Sequence, residues 1–258
     1  MEKDFEIEIC KNCENKFKGN FCNHCGQKAK IGKINSAFFL KELGGSIFYT
    51  DKGFFFTIKE LAVRPGKAIK EFIDGKRIIY FKPISFVLIF AILYSILLYL
   101  FTAQTELQDL LSGIKDGLIK QSEQRKLGVQ IFEWVINNYA YSILLLTPIF
   151  SFASYLAFYK SKRKYAENLL LNIFLIGEIS FFLVLLAPFT IIFNDSYLLI
   201  LFKILTVLTY TFFAFFQFFD TVRKSSRIIN TVITFSLFMI FFMVGISILA
   251  LITIKGIT

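Results

Sequence analysis

Histidine occurs once in these 258 residues, as His24, and tryptophan once, as Trp134. One imidazole cannot serve both a catalytic base and a histidine metal site. No paired carboxylates or nucleophile–base set replaces it, so no enzyme is expected. Charge is scarce as well: 19% of the residues are Asp, Glu, Lys or Arg, against roughly 25% in an ordinary soluble domain. A soluble chain of this length needs more charge to cover its surface. Glycine and proline are few, at 14 and 4 residues, which excludes a collagen or a low-complexity disordered chain. No cysteine follows Cys25, so a disulfide-rich secreted module is excluded too. The opening MEKDFEIEIC is acidic and lacks the apolar core of a signal peptide. The first apolar run is therefore expected to act as an internal signal-anchor.

Apolar residues are what the chain has in excess: 55% of it is hydrophobic, with 34 phenylalanines. They fall in long runs. A bilayer span needs about 20 mainly apolar residues, because a helix rises 1.5 Å per residue across a hydrocarbon core of about 30 Å. Five runs qualify, at 84–103, 139–159, 168–193, 197–219 and 228–254. All should be helical, since an open sheet edge cannot be satisfied in lipid. The fold class expected is an all-α polytopic membrane protein. A small zinc ribbon (1–30) and amphipathic juxtamembrane helices (31–83) should precede a five-span domain (84–258).

Charge gives the orientation. The formal net charge is +10, and 16 of the lysines and arginines precede Ile84. The loop at 160–167 holds the run KSKRK, and the one at 220–227 holds Arg223, Lys224 and Arg227. The connections between 104 and 138 and around 194–196 carry no basic excess. Basic loops thus alternate with neutral ones, which predicts a cytoplasmic N-terminus and an external C-terminus. The positive excess then faces anionic headgroups and needs no nucleic-acid partner.

All four cysteines lie in two pairs, Cys10-Lys-Asn-Cys13 and Cys22-Asn-His-Cys25. Each Cys-x-x-Cys turn offers two thiolates to one ion, and two turns complete a tetrahedral zinc site. Four thiolates also suit an iron–sulfur centre. A thioredoxin-like pair lacks its βαβ context, and disulfides disagree with a cytosolic N-terminus. The expected cofactor is one structural Zn²⁺ held by Cys10, Cys13, Cys22 and Cys25, with His24 outside the ligand set. A closed four-thiolate shell leaves no position for a reacting water. The ribbon should therefore present a recognition surface or brace the juxtamembrane segment.

Between ribbon and first span, Phe39, Leu43 and Ile47 recur at helical spacing, as do Phe54, Ile58 and Leu61. Arg64 before Pro65 should end the second of these helices. Pro65 can start a third, and Gly75 can cap it. Apolar faces with basic rims suit either the bilayer surface or the wall of the membrane domain. Arg64, Lys67, Lys70, Lys76, Arg77 and Lys82 are the candidate contacts with lipid headgroups or a cytosolic protein partner. The Gly66…Gly75-Lys76-Arg77 run is no P-loop, because its glycines are too far apart and no Ser or Thr follows the lysine.

Three blocks carry a family resemblance: Cys10–Gln27 ending FCNHCGQ, Thr57-x-x-x-Leu61-x-x-x-Pro65-Gly66, and Gly75-Lys76-Arg77-x-x-Tyr80-x-x-Pro83. Together they resemble the bacterial membrane family called domain of unknown function 3667. The stretch Tyr165-Ala-Glu167-Asn168-Leu resembles the start of that family's middle span. Where members often carry histidines there, this chain has Asn168, Phe174 and Ile176. The resemblance implies an integral membrane protein of bacteria with a zinc ribbon, and no established activity; the internal signal-anchor and the charge pattern fit the inner membrane.

Inside the spans, Glu178 is the one deeply placed acid, with Asn172 six residues before it. A carboxylate there should face other helices or water. It serves either as an interhelical packing contact or as part of a proton or cation path. Two functions are open on these grounds. The first is an interaction or assembly protein using the ribbon and basic helices. The alternative is a small transporter or channel using Glu178.

Overall fold

The computed structural model describes residues 7–43, 53–101, 134, 138–193 and 197–255. The connection at 102–133 and Ile47 in the first juxtamembrane stripe lie outside them. Two short strands, β1 (Glu8–Ile9) and β2 (Lys16–Phe17), pair antiparallel. Helices α1 (Ser36–Leu43), α2 (Phe54–Val63) and α3 (Pro65–Asp74) come next. The membrane domain contains α4 (Pro83–Phe101), α5 (Tyr139–Ala157), α6 (Tyr165–Leu186), the short α7 (Phe189–Phe193), α8 (Tyr197–Phe218) and α9 (Lys224–Lys255). Five of these, α4, α5, α6, α8 and α9, are long and apolar enough to cross a membrane.

The five helices match the five apolar runs, with shifted ends. The third begins at Tyr165 and stops at Leu186, because Pro188 separates it from α7. Pro148 lies within α5 without ending it. Helix α9 has 32 residues, about 48 Å at 1.5 Å per residue, so its ends outreach the hydrocarbon core.

Helix α6 is the centre of the bundle. It packs on α4, α5 and α8, and also on α2 and α3. A helix apolar on all sides is a buried one. Residues 170–175 and 177–180 are accordingly buried, with Ile176 between them half-buried. Aromatic rings fill the contacts: Phe86 and Phe90 of α4 meet edge-on, Phe90 reaches Phe181 of α6, and Phe150 of α5 reaches Phe215 of α8.

Helices α2 and α3 form a collar against this bundle. The collar's apolar faces rest on membrane helices: Phe54 stacks on Phe90, and Phe72 meets Phe174 edge-on. Gly66 allows the closest approach, since a Cβ there would run into the Gln217–Phe218 backbone of α8. The junction between α2 and α3 depends on one proline. Pro65 has no N–H, so the Leu61 carbonyl loses its helical partner. The Tyr210 hydroxyl of α8 replaces it, donating to Leu61 O at 3.0 Å. At the other end of α3, Gly75 takes φ 123° and its N–H returns to the Glu71 and Phe72 carbonyls. A side chain at Gly75 would also meet Lys11 and Ile31.

The loops after α5 and α8 meet at this same end. Phe158 and Phe219 stack with centroids 3.8 Å apart. Lys70 of α3 pairs with Asp220 at 2.6 Å. The Tyr139 and Ser180 hydroxyls, 3.0 Å apart, tie the start of α5 to the far half of α6. The spans therefore alternate in direction, and the basic loops and the collar share one end.

Candidate metal centre and its docking on the collar

The ribbon is a duplicated knuckle. In each half the first cysteine's N–H bonds to the carbonyl five residues on, Cys10 to Asn15 at 2.9 Å and Cys22 to Gln27 at 2.8 Å. In each half the residue after the second cysteine has positive φ, Glu14 at 61° and Gly26 at 76°. In each half an apolar–lysine pair closes the turn, Ile9 with Lys16 and Phe21 with Lys28. The offset is twelve residues throughout. This repeat is readable in Ile9-Cys-x-x-Cys-x-x-Lys16 and Phe21-Cys-x-x-Cys-x-x-Lys28, although cysteine spacing alone does not reveal it.

The two knuckles bring the four sulfurs together. Cys10 Sγ lies 3.5 Å from Cys25 Sγ, and Cys13 Sγ lies 3.6 Å from Cys22 Sγ. All four ligand atoms lie within 4.8 Å of one another. A tetrahedral ion with bonds of about 2.3 Å requires sulfurs about 3.8 Å apart, so the cluster fits a metal ion. It does not fit disulfides, since all four thiols are free. Burial opposes ionisation of Cys22, but the N–H groups of Cys25 and His24 and the neighbouring thiols outweigh it and draw its pKa to about 6. At Cys13 the Asn15 N–H favours the thiolate, yet burial and three neighbouring sulfurs push its pKa to about 12. One thiolate thus forms easily while Cys13 resists, the imbalance that a bound cation removes. His24 is exposed and outside the cluster.

Each knuckle also holds the chain that leads into the first span. Asn12, inside the first knuckle, accepts the Ile79 N–H at 3.2 Å. Gln27, just after the second, accepts the Arg77 N–H at 3.1 Å and is itself buried. Arg77 then reaches Gly32 O at 2.8 Å and lies over the Phe38 and Phe72 rings. None of these pairs could be read from local spacing, because 45 to 67 residues separate the partners.

The other candidate basic residues divide by surroundings. Arg64 bridges Glu60 and Glu71, the latter at 2.6 Å. Burial works against the Glu71 carboxylate, but hydrogen bonds from Arg64 and Tyr80 and the charges of Arg64 and Lys76 hold it below the usual range. Lys76 lies 3.8 Å from Glu71. Asp220 is held low by its hydrogen bond from Lys70, with Arg163 and Arg227 adding to the effect against burial. Lys67 is exposed and Lys82 half-buried, with no ion pair among the described residues.

The two intramembrane polar residues face different neighbours. Asn172 donates to Ser154 Oγ at 3.0 Å and to Asn168 O at 2.9 Å, joining α6 to α5. Glu178 is fully buried and within electrostatic reach of Tyr210. Neither of its carboxylate oxygens has a hydrogen-bond partner among the described residues. Spacing alone could not separate these roles.

A family model described as "Protein of unknown function (DUF3667)" matches residues 51–95. The matched segment is the collar, the Gly75–Pro83 turn and the first two thirds of α4, so the chain resembles that family in the part that locks ribbon to bundle. No curated protein and no solved structure matches the chain.

Proposed function

We propose that this membrane protein is an interaction or assembly protein of the bacterial inner membrane. In this reading a structural zinc ion builds a cytoplasmic platform that receives a cytosolic protein. One observation carries it: both knuckles commit a side-chain amide to the Arg77–Ile79 backbone. The ribbon is thereby a fixed surface on the bundle instead of a tethered flag. Away from the collar it keeps Ile7, Ile9 and Phe21 exposed, with lysines 16, 18 and 28 exposed as well. Such a surface suits a partner with apolar anchors and an acidic rim. Affinity purification of the full chain, with and without Ile9→Glu and Phe21→Glu, tests this. Loss of a specific membrane-recovered partner supports the reading, and an unchanged partner set refutes it. Metal analysis should return one zinc per chain; iron would replace zinc in the proposal.

The second reading is a small transporter or channel. The two oxygens of Glu178, without a hydrogen-bond partner among the described residues, favour it, because a buried carboxyl of this kind can take up a proton or cation. Glu178→Gln in proteoliposomes should then abolish an ion or proton flux that the parent chain supports. Equal flux in both removes this reading.

A further inference from the structure

The arginines and lysines at the collar end have opposite fates. Arg227 is turned inward, where it donates to the carbonyls of Phe216, Asp220 and Val222 at 2.9, 2.6 and 2.6 Å. It caps the end of α8, where carbonyls lack helical partners and a cation is favoured. Arg163 lies over the Phe218 ring at 5.1 Å and pairs with Glu167 at 3.5 Å. Together with Lys70 these residues satisfy the local acids, Asp220 and Glu167. Lys160, Lys162, Lys164, Arg223 and Lys224 are all exposed. Among the described residues none of the five has an ion pair.

Four of these cations lie on two loops pressed together by the Phe158–Phe219 stack, and Lys224 opens α9 where the second loop ends. The first loop joins α5 directly to α6, so it sits where two spans leave the hydrocarbon. Tyr159 and Tyr165 are exposed beside it, at 65% and 37%. Exposed tyrosines at span ends mark the headgroup level. Flexible ammonium groups at that level match phosphate as mobile point charges. Among the juxtamembrane residues that the sequence offers for this contact, Arg64, Lys70 and Arg77 are occupied by internal partners.

We infer that the paired loops at 158–164 and 219–224 form a binding surface for anionic phospholipid headgroups, held by Lys160, Lys162, Lys164, Arg223 and Lys224. The inward arginines build the surface, and the outward cations bind. None of these residues belongs to the ribbon, so either proposal can fail alone.

The test uses the full chain in nanodiscs that contain phosphatidylcholine with a minor share of phosphatidylglycerol. Native mass spectrometry reads which lipid stays on the protein. The parent chain should retain phosphatidylglycerol preferentially, and high salt should weaken the preference. Each removed cation should lower it about fivefold, from roughly 1 kcal/mol per basic residue near a charged surface. K160Q/K162Q/K164Q and R223Q/K224Q should each lose the preference in that proportion, with unchanged melting temperature. K160R/K162R/K164R should keep it, since charge is preserved. An unselective parent chain, or full selectivity in both Gln variants, overturns the inference. So does capture of an acidic protein by these loops without any lipid selectivity.

Discussion

The collar end and the outer wall formed by α9 are built on different principles. At the collar end, polar groups find named partners: four thiols converge, Asn12 and Gln27 hold a turn, Arg64 joins Glu60 to Glu71, and Tyr210 replaces a lost amide. Along α9, Ile229, Val232, Ile240, Met243 and Val244 are more than half exposed, and the faces toward α5 and α8 make the contacts. Directional bonds demand one residue at one place. A lipid-facing wall demands only apolar bulk. The collar end is where substitutions should be felt.

Removing the proposed zinc should have the largest effect. A ribbon this small folds when its metal binds, with apparent binding free energies on the order of 10 kcal/mol in zinc-finger peptides. Chelation or Cys22→Ser should abolish metal content and amide protection over residues 8–31, while α4 and α6 stay protected in hydrogen exchange. If the collar turn at 76–79 kept its protection, the ribbon would not be its brace.

Gly66→Leu comes next. The new side chain meets the α8 backbone, which cannot yield as a side-chain tip would. Overpacking at such a contact should cost about 3 kcal/mol, seen as a lowered melting temperature in detergent. Tyr210→Phe should cost about 2 kcal/mol, because the Leu61 carbonyl is left unsatisfied in a buried place. A null result there would show that water reaches the junction.

Acid should act more gently. Glu71 has a folded pKa below its ordinary value. Its contribution is therefore present above about pH 4.3, the unfolded value, and is lost as pH falls through the folded one. Exchange at residues 71–80 should accelerate over that acidic range, and Glu71→Gln should remove the pH dependence. The smallest effect is expected on the wall, where Ile240→Ala should change stability by less than about 0.5 kcal/mol. A loss of several kilocalories would reveal a second surface packed on α9.

Much of this contrast is foreshadowed in the chain. Apolar runs of span length identify five helices because lipid imposes a length on them. Arg64-Pro65 and Gly75 mark the bounds of α3 because proline and glycine act through their own backbone. The four-cysteine cluster is legible because each knuckle is local. Yet the runs of α6 and α9 look alike, although one lies at the centre and the other on the wall. Burial depends on neighbours, and neighbours come from the fold. The same reason hides the pairings of Asn12 with Ile79, Lys70 with Asp220, and Tyr210 with Leu61.

The last of these pairings fixes an order in which descendants of this sequence can change. While Pro65 is present, the Tyr210 hydroxyl is indispensable to the Leu61 carbonyl. Exchange of Pro65 for alanine would restore an amide and make the hydroxyl redundant, so phenylalanine could then drift in at 210. The reverse order passes through a damaged intermediate. Proline at 65 and tyrosine at 210 should accordingly be inherited together, and lineages that lack the tyrosine should already have lost the proline.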